Sequence, residues 1–246
     1  MIFFSNTKRP FEYGPFPLER LKRDTSILEI EAALPPISRT SSDLVQTSTA
    51  LSNSIDKYHD LYRPLGQLKK LPPKAPVPDD LHRRAVDIKG AGYFLDVAHV
   101  GICKMPQTAW LQGIKARDHS HAIAIIQAHG RIPEKENLSY EWIKGLGNKA
   151  AAFRAFEVAV AIANHIQYMG FSAKAHDRVT GDVDLDRLAV LAGVALRDDL
   201  TITNPYLEDR FAVAIVTTNY ELATDLPLHS SARNGKGLAY WLGIGG

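Results

Sequence analysis

The histidines near the middle of the chain are the residues whose types and spacing could hold a metal ion. His119 and His121 are alternate residues of an apolar run, and alternate side chains of a strand share one face and can reach one ion. A stable site needs a third and usually a fourth ligand, and no spacing in the chain fixes His129, His99 or Asp118 beside the pair. We therefore predict ordinary structural histidines and no metal site.

Cys103 is the only cysteine of the sequence. One thiol can form no internal disulfide and cannot supply the four thiolates of an iron–sulfur cluster or a structural zinc site. Its neighbour Lys104 carries a charge that would lower the pKa of a nearby thiol, as in catalytic cysteines. A free cysteine in an apolar run is usually buried, so we predict an inert thiol.

Motifs of other common active sites are absent or incomplete. The sequence contains no glycine loop of the P-loop or dinucleotide-binding type and no nucleophile elbow of a serine hydrolase. Asp182, Asp184 and Asp186 alternate as in a calcium-binding loop, but the glycine and distal glutamate of that loop are missing. These three aspartates instead predict the start of a helix, with their carboxylates exposed to solvent. The glycine turn before Lys149 could present free N–H groups to an anion, or it could be a plain N-terminal turn.

Composition limits the class of protein. The chain has 246 residues, 45% of them hydrophobic and 23% charged, which suffices for one large or two small globular domains. Its net charge of +2 provides no field that would attract nucleic acid or an acidic membrane. The opening residues contain too short an apolar run for a signal peptide, and charges interrupt every longer one. We expect a cytoplasmic protein without a membrane or nucleic-acid partner.

Residues 1–78 are predicted to form a Pro-rich leader, because proline removes a backbone donor and restricts the residue before it. We expect residues 1–36 to be extended, with one turn at 18–23, where Pro17 can occupy a first helical position. The prolines of the leader are Pro10, Pro15, Pro17, Pro35, Pro36, Pro64, Pro72, Pro73, Pro76 and Pro78.

One helix is predicted inside this leader, between residues 40 and 61. Its cap candidates are Thr40, Ser41 and Ser42. Its spacing gives one apolar face made of Leu44, Leu51, Ile55 and Tyr58. Residues 67–78, rich in lysine and proline, predict an exposed connector, and we place the domain boundary there.

Residues 79–246 are predicted to form one α+β domain, because helical and strand patterns alternate without a repeating βαβ unit. Helices are expected from 80 to 88, 148 to 169 and 185 to 194, and strands at 97–103, 119–128, 171–176, 200–203 and 211–218. The long helix should pack on a sheet that contains both strongly apolar strands. The predicted core is Phe153, Phe156, Val160, Ala163, Ile123, Ile125, Val213 and Ile215.

Several runs, in this order, resemble the corrinoid-binding region of reductive dehalogenases and the related epoxyqueuosine reductases. They are Ile162-Ala-Asn-His-Ile-Gln-Tyr-Met-Gly-Phe-Ser-Ala-Lys-Ala, Leu188-Ala-Val-Leu-Ala-Gly-Val-Ala, Leu200-Thr-Ile-Thr-Asn-Pro-Tyr, Val216-Thr-Thr-Asn and Asp225-Leu-Pro-Leu. The leader from Arg9 to Leu21 also resembles the start of the cytoplasmic, respiration-independent dehalogenases. The resemblance covers the leader and residues 79–228.

This resemblance implies a nitroreductase-like core, a mixed sheet flanked by helices, with cobalamin against it and electrons delivered by two iron–sulfur clusters. By resemblance the cofactor-binding positions would be Ala192, Gly193, Arg197, Thr201 and Thr203. The chain departs from the family pattern in two ways. Val194-Ala-Leu stands where the family keeps glycines that let a corrin approach the backbone, and the cluster cysteines are absent.

We therefore predict the degenerate amino-terminal module of a corrinoid-dependent organohalide reductase, which does not bind cobalamin tightly by itself. Downstream catalytic and ferredoxin-like domains, or an external electron donor, would be its partners. One alternative is a stand-alone cobalamin- or flavin-binding oxidoreductase, in which Tyr168 and Tyr206 would be proton donors. A second alternative is a partner-binding structural module that uses the leader as a docking strap.

Overall fold

The computed structural model describes residues 9–39, 49–66, 68, 70–199 and 201–234. Within them the helices are α1 (Ser26–Ala33), α2 (Ala50–Tyr62), α3 (Leu81–Phe94), α4 (Tyr140–Ile143), α5 (Gly147–Tyr168) and α6 (Leu185–Leu191). The strands are β1 (His99–Lys104), β2 (His121–Ala128), β3 (Ala173–His176), β4 (Leu196–Asp198), β5 (Thr201–Thr203) and β6 (Phe211–Thr218). Short 3-10 turns lie at Phe11–Tyr13, Leu18–Arg20, Arg63–Gly66, Gln107–Ala109 and Ser230–Asn234.

The main sheet has the strand order β1-β2-β6-β3, and all of its pairs are antiparallel. Strands β4 and β5 form a separate antiparallel pair. The predicted α+β class is confirmed. The expected mixed sheet is wrong, because no parallel pair occurs among the described strands. The nitroreductase-like assignment stays a prediction.

Local sequence signals place most of these elements correctly. The Asp80 side chain accepts a hydrogen bond from the His82 amide and caps α3, and the Asp184 side chain caps α6 in the same way. Helix α5 ends before Gly170, whose φ of +85° suits a residue without Cβ. Strand β4 was not predicted, because residues 194–199 were interpreted as a cofactor-binding turn.

The sheet buries a core on each of its two faces. Strands β2 and β6 are neighbours in register, with Ile123 opposite Val216 and Ile125 opposite Ala214, and this face packs on α5 and α3. Val213 and Ile215 therefore point to the other face, because strand side chains alternate. There they pack with α6. The predicted single core is wrong in this respect.

Helix α5 also has two buried sides. Ala155, Ala159 and Ala163 lie on the sheet side. The larger Phe153 and Phe156 instead face α2, where the His59 ring lies 6.2 and 4.9 Å from their rings. The prediction that these phenylalanines pack on the sheet is wrong, because small residues allow α5 to approach the strands closely.

The leader contains more helix than predicted. Residues 26–33 form α1, although we expected extended chain up to residue 36. The stretch between Pro17 and Pro35 is free of proline, so nothing prevents a helix there. The turn at Leu18–Arg20 directly follows Pro17, as predicted.

Helix α2 begins at Ala50, after Thr49, whose hydroxyl accepts a hydrogen bond from the Ser52 amide at 3.1 Å. The cap candidates Thr40, Ser41 and Ser42, and also Leu44, lie outside the described residues. Of the predicted apolar face, Ile55 is half-buried, whereas Leu51 and Tyr58 are 44% and 56% exposed. After α2, residues 68 and 70–78 form neither helix nor strand, in agreement with a connector. The domain boundary at 78 stays a prediction.

No helix in the described ranges combines the length and apolar character needed to cross a membrane.

Candidate functional site

The turn after α6 is the centre of the site that the resemblance implies. Helix α6 ends at Leu191, Ala192 is its C-cap, and Gly193 follows with φ of +65°. A Cβ on Gly193 would lie 2.2 Å from the Leu226 carbonyl oxygen and 2.3 Å from Arg23 Nη1. Glycine is therefore required here by contacts within the protein itself.

The Arg23 side chain, from the leader, fills the space beside this turn. Its Nη1 donates to the carbonyl oxygens of Gly193 at 2.9 Å and Leu226 at 2.7 Å, and its Nη2 donates to that of Leu18 at 2.9 Å. Burial lowers the pKa of Arg23, while the charges of Asp225 and Glu19 oppose that shift. The Arg23 guanidinium thus donates hydrogen bonds to main-chain carbonyl oxygens.

The Asp225-Leu-Pro-Leu segment closes the turn from the other side. Asp225 accepts hydrogen bonds from Lys89 Nζ at 2.6 Å and from the Ile102 amide at 2.9 Å, and its own amide donates to the Ile102 carbonyl at 2.7 Å. Leu228 is buried and pairs with Arg23 in an antiparallel bridge. This motif therefore links α3, β1 and the leader.

A cleft of about 170 Å³ remains between the leader, α3, Gly193 and Asp225. Sites for drug-sized ligands have roughly 300–1,000 Å³, and an apolar cavity of about 150 Å³ holds benzene. Tyr93 lines the cleft; its hydroxyl accepts a hydrogen bond from the Val100 amide at 3.2 Å, and burial raises its pKa to about 12. Since a corrin ring is several times larger than benzene, this cleft is too small to enclose one.

The residues after Gly193 do not enter this cleft through their side chains, with the exception of Val194 at its edge. Val194, Ala195 and Leu196 are all at most 3% exposed and belong to the core on the α6 side of the sheet. The expectation that side chains at these positions obstruct a corrin is therefore corrected for Ala195 and Leu196, which do not line the cleft. The contacts that close the turn come from Arg23 and Leu226.

The other predicted cofactor-binding residues are engaged elsewhere. Arg197 donates to both carboxylate oxygens of the buried Glu31, at 2.6 and 2.7 Å, and this pairing raises its pKa. Thr201 is exposed, and its hydroxyl donates to the Asp198 carbonyl at 3.1 Å. Thr203 is half-buried in β5. Ala192 and Gly193 adjoin the cleft, whereas Arg197, Thr201 and Thr203 do not line it.

The two predicted proton donors are not brought together. Tyr168 is the last residue of α5, which packs on one face of the sheet, and it is 67% exposed. Tyr206 packs against the core of the opposite face, where its ring stacks on Phe16 and its hydroxyl donates to the Pro17 carbonyl at 3.2 Å. Burial raises the pKa of Tyr206. A catalytic role of either tyrosine stays a prediction.

A chain of buried polar groups at one end of the sheet was missed by the sequence analysis. The Asp182 amide donates to His176 Nδ1, so His176 carries its proton on Nε2 and donates it to the Thr217 hydroxyl at 2.8 Å. The Thr217 hydroxyl also lies 2.8 Å from His119 Nδ1, and His119 Nε2 lies 2.8 Å from the Ser172 hydroxyl, both within hydrogen-bond distance. Burial lowers the pKa of His119 to about 4 and also lowers that of His176.

This polar chain assigns a structural role to His119, as predicted. His119 lies between two hydroxyl partners inside the protein, as a structural histidine does. The signal that could have identified the chain is the pair of threonines that ends the apolar strand β6, since a buried hydroxyl needs a partner. Within the described ranges, no three His, Cys, Asp or Glu side chains are placed to hold a metal ion.

The remaining candidates are structural. Cys103 is buried, with its thiol 3.7 Å from the Leu188 carbonyl, and burial raises its pKa, as does the charge of Asp225. The expected burial of the thiol is therefore confirmed. Asp184 caps α6 as predicted, but it is buried beside Arg187 at 3.3 Å and is not solvated.

Comparison with known proteins identifies one group of similar structures. No family model and no curated protein matches the sequence. The catabolic reductive dehalogenase NpRdhA matches with 32% identity and a TM-score of 0.79, over 93% of this chain and 32% of that one. Its complex with 3-bromo-4-hydroxybenzoic acid matches with 33% identity and a TM-score of 0.79 over the same shares.

A further reductive dehalogenase structure, described as suggesting a mechanism for B12-dependent dehalogenation, matches with 32% identity and a TM-score of 0.77. Epoxyqueuosine reductases match more weakly, one of them with 11% identity and a TM-score of 0.44, and they support no conclusion. This chain spans about a third of the length of the dehalogenases that it matches. It is therefore a reductive-dehalogenase-like chain in sequence and fold.

Proposed function

We propose that this chain is a structural, non-catalytic module of a cytoplasmic, corrinoid-dependent organohalide reductase, built on a nitroreductase-like core. Its similarity to NpRdhA over 93% of its own length supports the family, and the 32% share of the longer chain supports the status of a module. Cobalamin would be held by the catalytic part of the same reductase, outside residues 1–246.

The observation that carries this proposal is the closed turn at Gly193. In a functioning corrin site, a glycine turn leaves room for the ring to approach the backbone. Here Arg23 and Leu226 occupy that room and leave a cleft of about 170 Å³. The turn therefore stabilises the fold of the module.

The sequence also supports the proposal that electron transfer takes place outside this module. A [4Fe–4S] cluster needs four thiolates, and this chain has one buried cysteine. The clusters that reduce a corrinoid must therefore come from a ferredoxin-like domain or an external donor. This module supplies neither electrons nor a corrin ligand.

Metal and flavin analysis of two purified polypeptides tests this function. One polypeptide is residues 1–246, and the other is the complete product of the reading frame that continues after Gly246, both expressed with cobalamin present. We expect cobalt and iron in the complete product and neither cobalt nor flavin in residues 1–246. Stoichiometric cobalt or flavin in residues 1–246 would instead establish the stand-alone oxidoreductase, and a reading frame that ends at Gly246 would contradict the module.

A further inference from the structure

Helix α2 turns several polar residues toward the protein and leaves several apolar residues exposed to solvent. Its side toward α5 carries Ser52, Ile55, His59 and Tyr62, all buried or half-buried. The apolar residues on the neighbouring solvent side, which we call the outer face, are Leu51, Tyr58 and Leu61 of α2 and Leu65 of the 3-10 turn that follows it, with exposed fractions of 44%, 56%, 54% and 56%. A helix of a monomeric protein normally buries its apolar stripe, so this arrangement requires a reason.

Specific polar contacts hold α2 in this orientation. Lys149 donates to the Ser52 hydroxyl and to the Asp56 carboxylate, both at 2.6 Å. Tyr62 donates to Glu157 at 2.7 Å. These contacts fix the rotation of the helix about its axis. They also show that Lys149 is paired with α2 and does not serve an anion at the turn before it.

On the same side, the His59 ring lies 3.0 Å from the Asp177 carboxylate, whose pKa is lowered by this contact and by hydrogen bonds from Thr180, against the effect of its own burial. The polar side of α2 therefore contacts polar and charged groups inside the module. Rotating the helix to bury its leucines would break these contacts. The outer face is thus presented to solvent by the fold.

Helix α4 packs against α2. Its Trp142 is 69% exposed. Tryptophan and tyrosine are enriched at the centre of protein interfaces, because they bury much area with little loss of side-chain entropy. Large contiguous apolar patches are rare on proteins that act alone.

We propose that the outer face of α2 is the docking surface for the catalytic part of the same reductase polypeptide. The inference rests on the proposed function. The dehalogenases that match this chain are about three times its length, so roughly two thirds of such a polypeptide is available to cover the surface. A segment of that length in the same chain is held at high effective concentration, so a modest apolar contact suffices for stable docking.

Photocrosslinking in the complete reading-frame product tests this docking surface. The amino acid p-benzoylphenylalanine replaces Tyr58, and in a control it replaces Arg131, whose side chain is 87% exposed in a polar loop. We expect the probe at 58 to crosslink to a peptide beyond residue 246, the probe at 131 to give no such product, and Leu61→Ser with Leu65→Ser to abolish the crosslink at 58.

Four results would overturn the inference. A crosslink from position 58 to a second copy of residues 1–246 would show self-association instead, and no crosslink would show a free surface; the module function would survive both. A reading frame that ends at Gly246 would overturn the inference together with the proposed function. The double serine variant must also leave the thermal midpoint of residues 1–246 unchanged, since a large decrease would show that the outer face stabilises the module itself.

Discussion

At the scale of single residues, Gly193 is the position at which the closed turn can be tested, and a second glycine provides a matched control. Both Gly193 and Gly113 have positive φ, of +65° and +79°, but a Cβ on Gly113 would meet no atom within 4 Å. Gly113→Ala should therefore cost only about 1–2 kcal/mol for the left-handed backbone. Gly193→Ala should cost about 2–5 kcal/mol, because the clash with Leu226 and Arg23 adds roughly 1–3 kcal/mol to the backbone cost.

Urea unfolding of the two alanine variants measures this difference. Equal losses of unfolding free energy would mean that the turn at Gly193 is open in solution, with room beside it for a ligand. A larger loss for Gly193→Ala would establish that contacts inside the module close the turn.

The buried histidines predict a pH dependence of stability. The pKa of His119 is lowered to about 4 by burial, from about 6.5 in an unfolded chain, and the pKa of His176 is lowered for the same reason. The folded state thus resists protonation, so its stability is complete above about pH 6.5 and decreases as the pH falls toward about 4. His176→Gln should reduce this slope, whereas Thr217→Ser, which keeps the hydroxyl, should preserve it.

The difference between the free energies of urea unfolding at about pH 7 and about pH 5 gives the pH dependence of stability. Carboxylates with lowered pKa values, such as Asp177, become protonated in the folded state only at more acidic pH and so contribute little in this range. The prediction fails if His176→Gln retains the full slope of the original chain.

At the scale of elements, the sequence indicated where helices and strands lie better than it indicated which way they face. Caps and glycine stops at Asp80, Asp184 and Gly170 are local signals, and α3, α5 and α6 agree with them. The rotation of α2 and the packing of Phe153 depend on distant partners such as Lys149 and His59, which no local pattern contains.

The leader is an element whose role can be tested by truncation. Leu18 belongs to the core, Arg23 closes the turn at Gly193, and the buried Glu31 of α1 binds Arg197. Removal of residues 1–36 should therefore unfold or strongly destabilise the remainder, because it leaves these partners unpaired. Near-ultraviolet circular dichroism and thermal unfolding would show the loss. A truncated chain with an unchanged melting transition would support a detachable strap.

At the scale of the whole molecule, the order of motifs along the chain indicated the family, and the structural matches agree. Those motifs did not show whether the space beside the turn at Gly193 is open or filled. Ala192 and Gly193 lie at the end of a helix, as in the family motif. Only the fold shows that Arg23, 170 residues away in sequence, fills the space beside this turn. Arg197 is likewise a cofactor-binding position by resemblance, but in the fold it is paired with Glu31.

The central claim is that this module, although dehalogenase-like, does not hold the cofactor. Titration of purified residues 1–246 with hydroxocobalamin, followed by its visible absorption spectrum, tests this most directly, with intact NpRdhA freed of its corrinoid as the positive control. We predict no saturable spectral shift at micromolar concentrations for this chain. A stoichiometric complex, with a shift that saturates at one corrinoid per chain, would contradict the structural role.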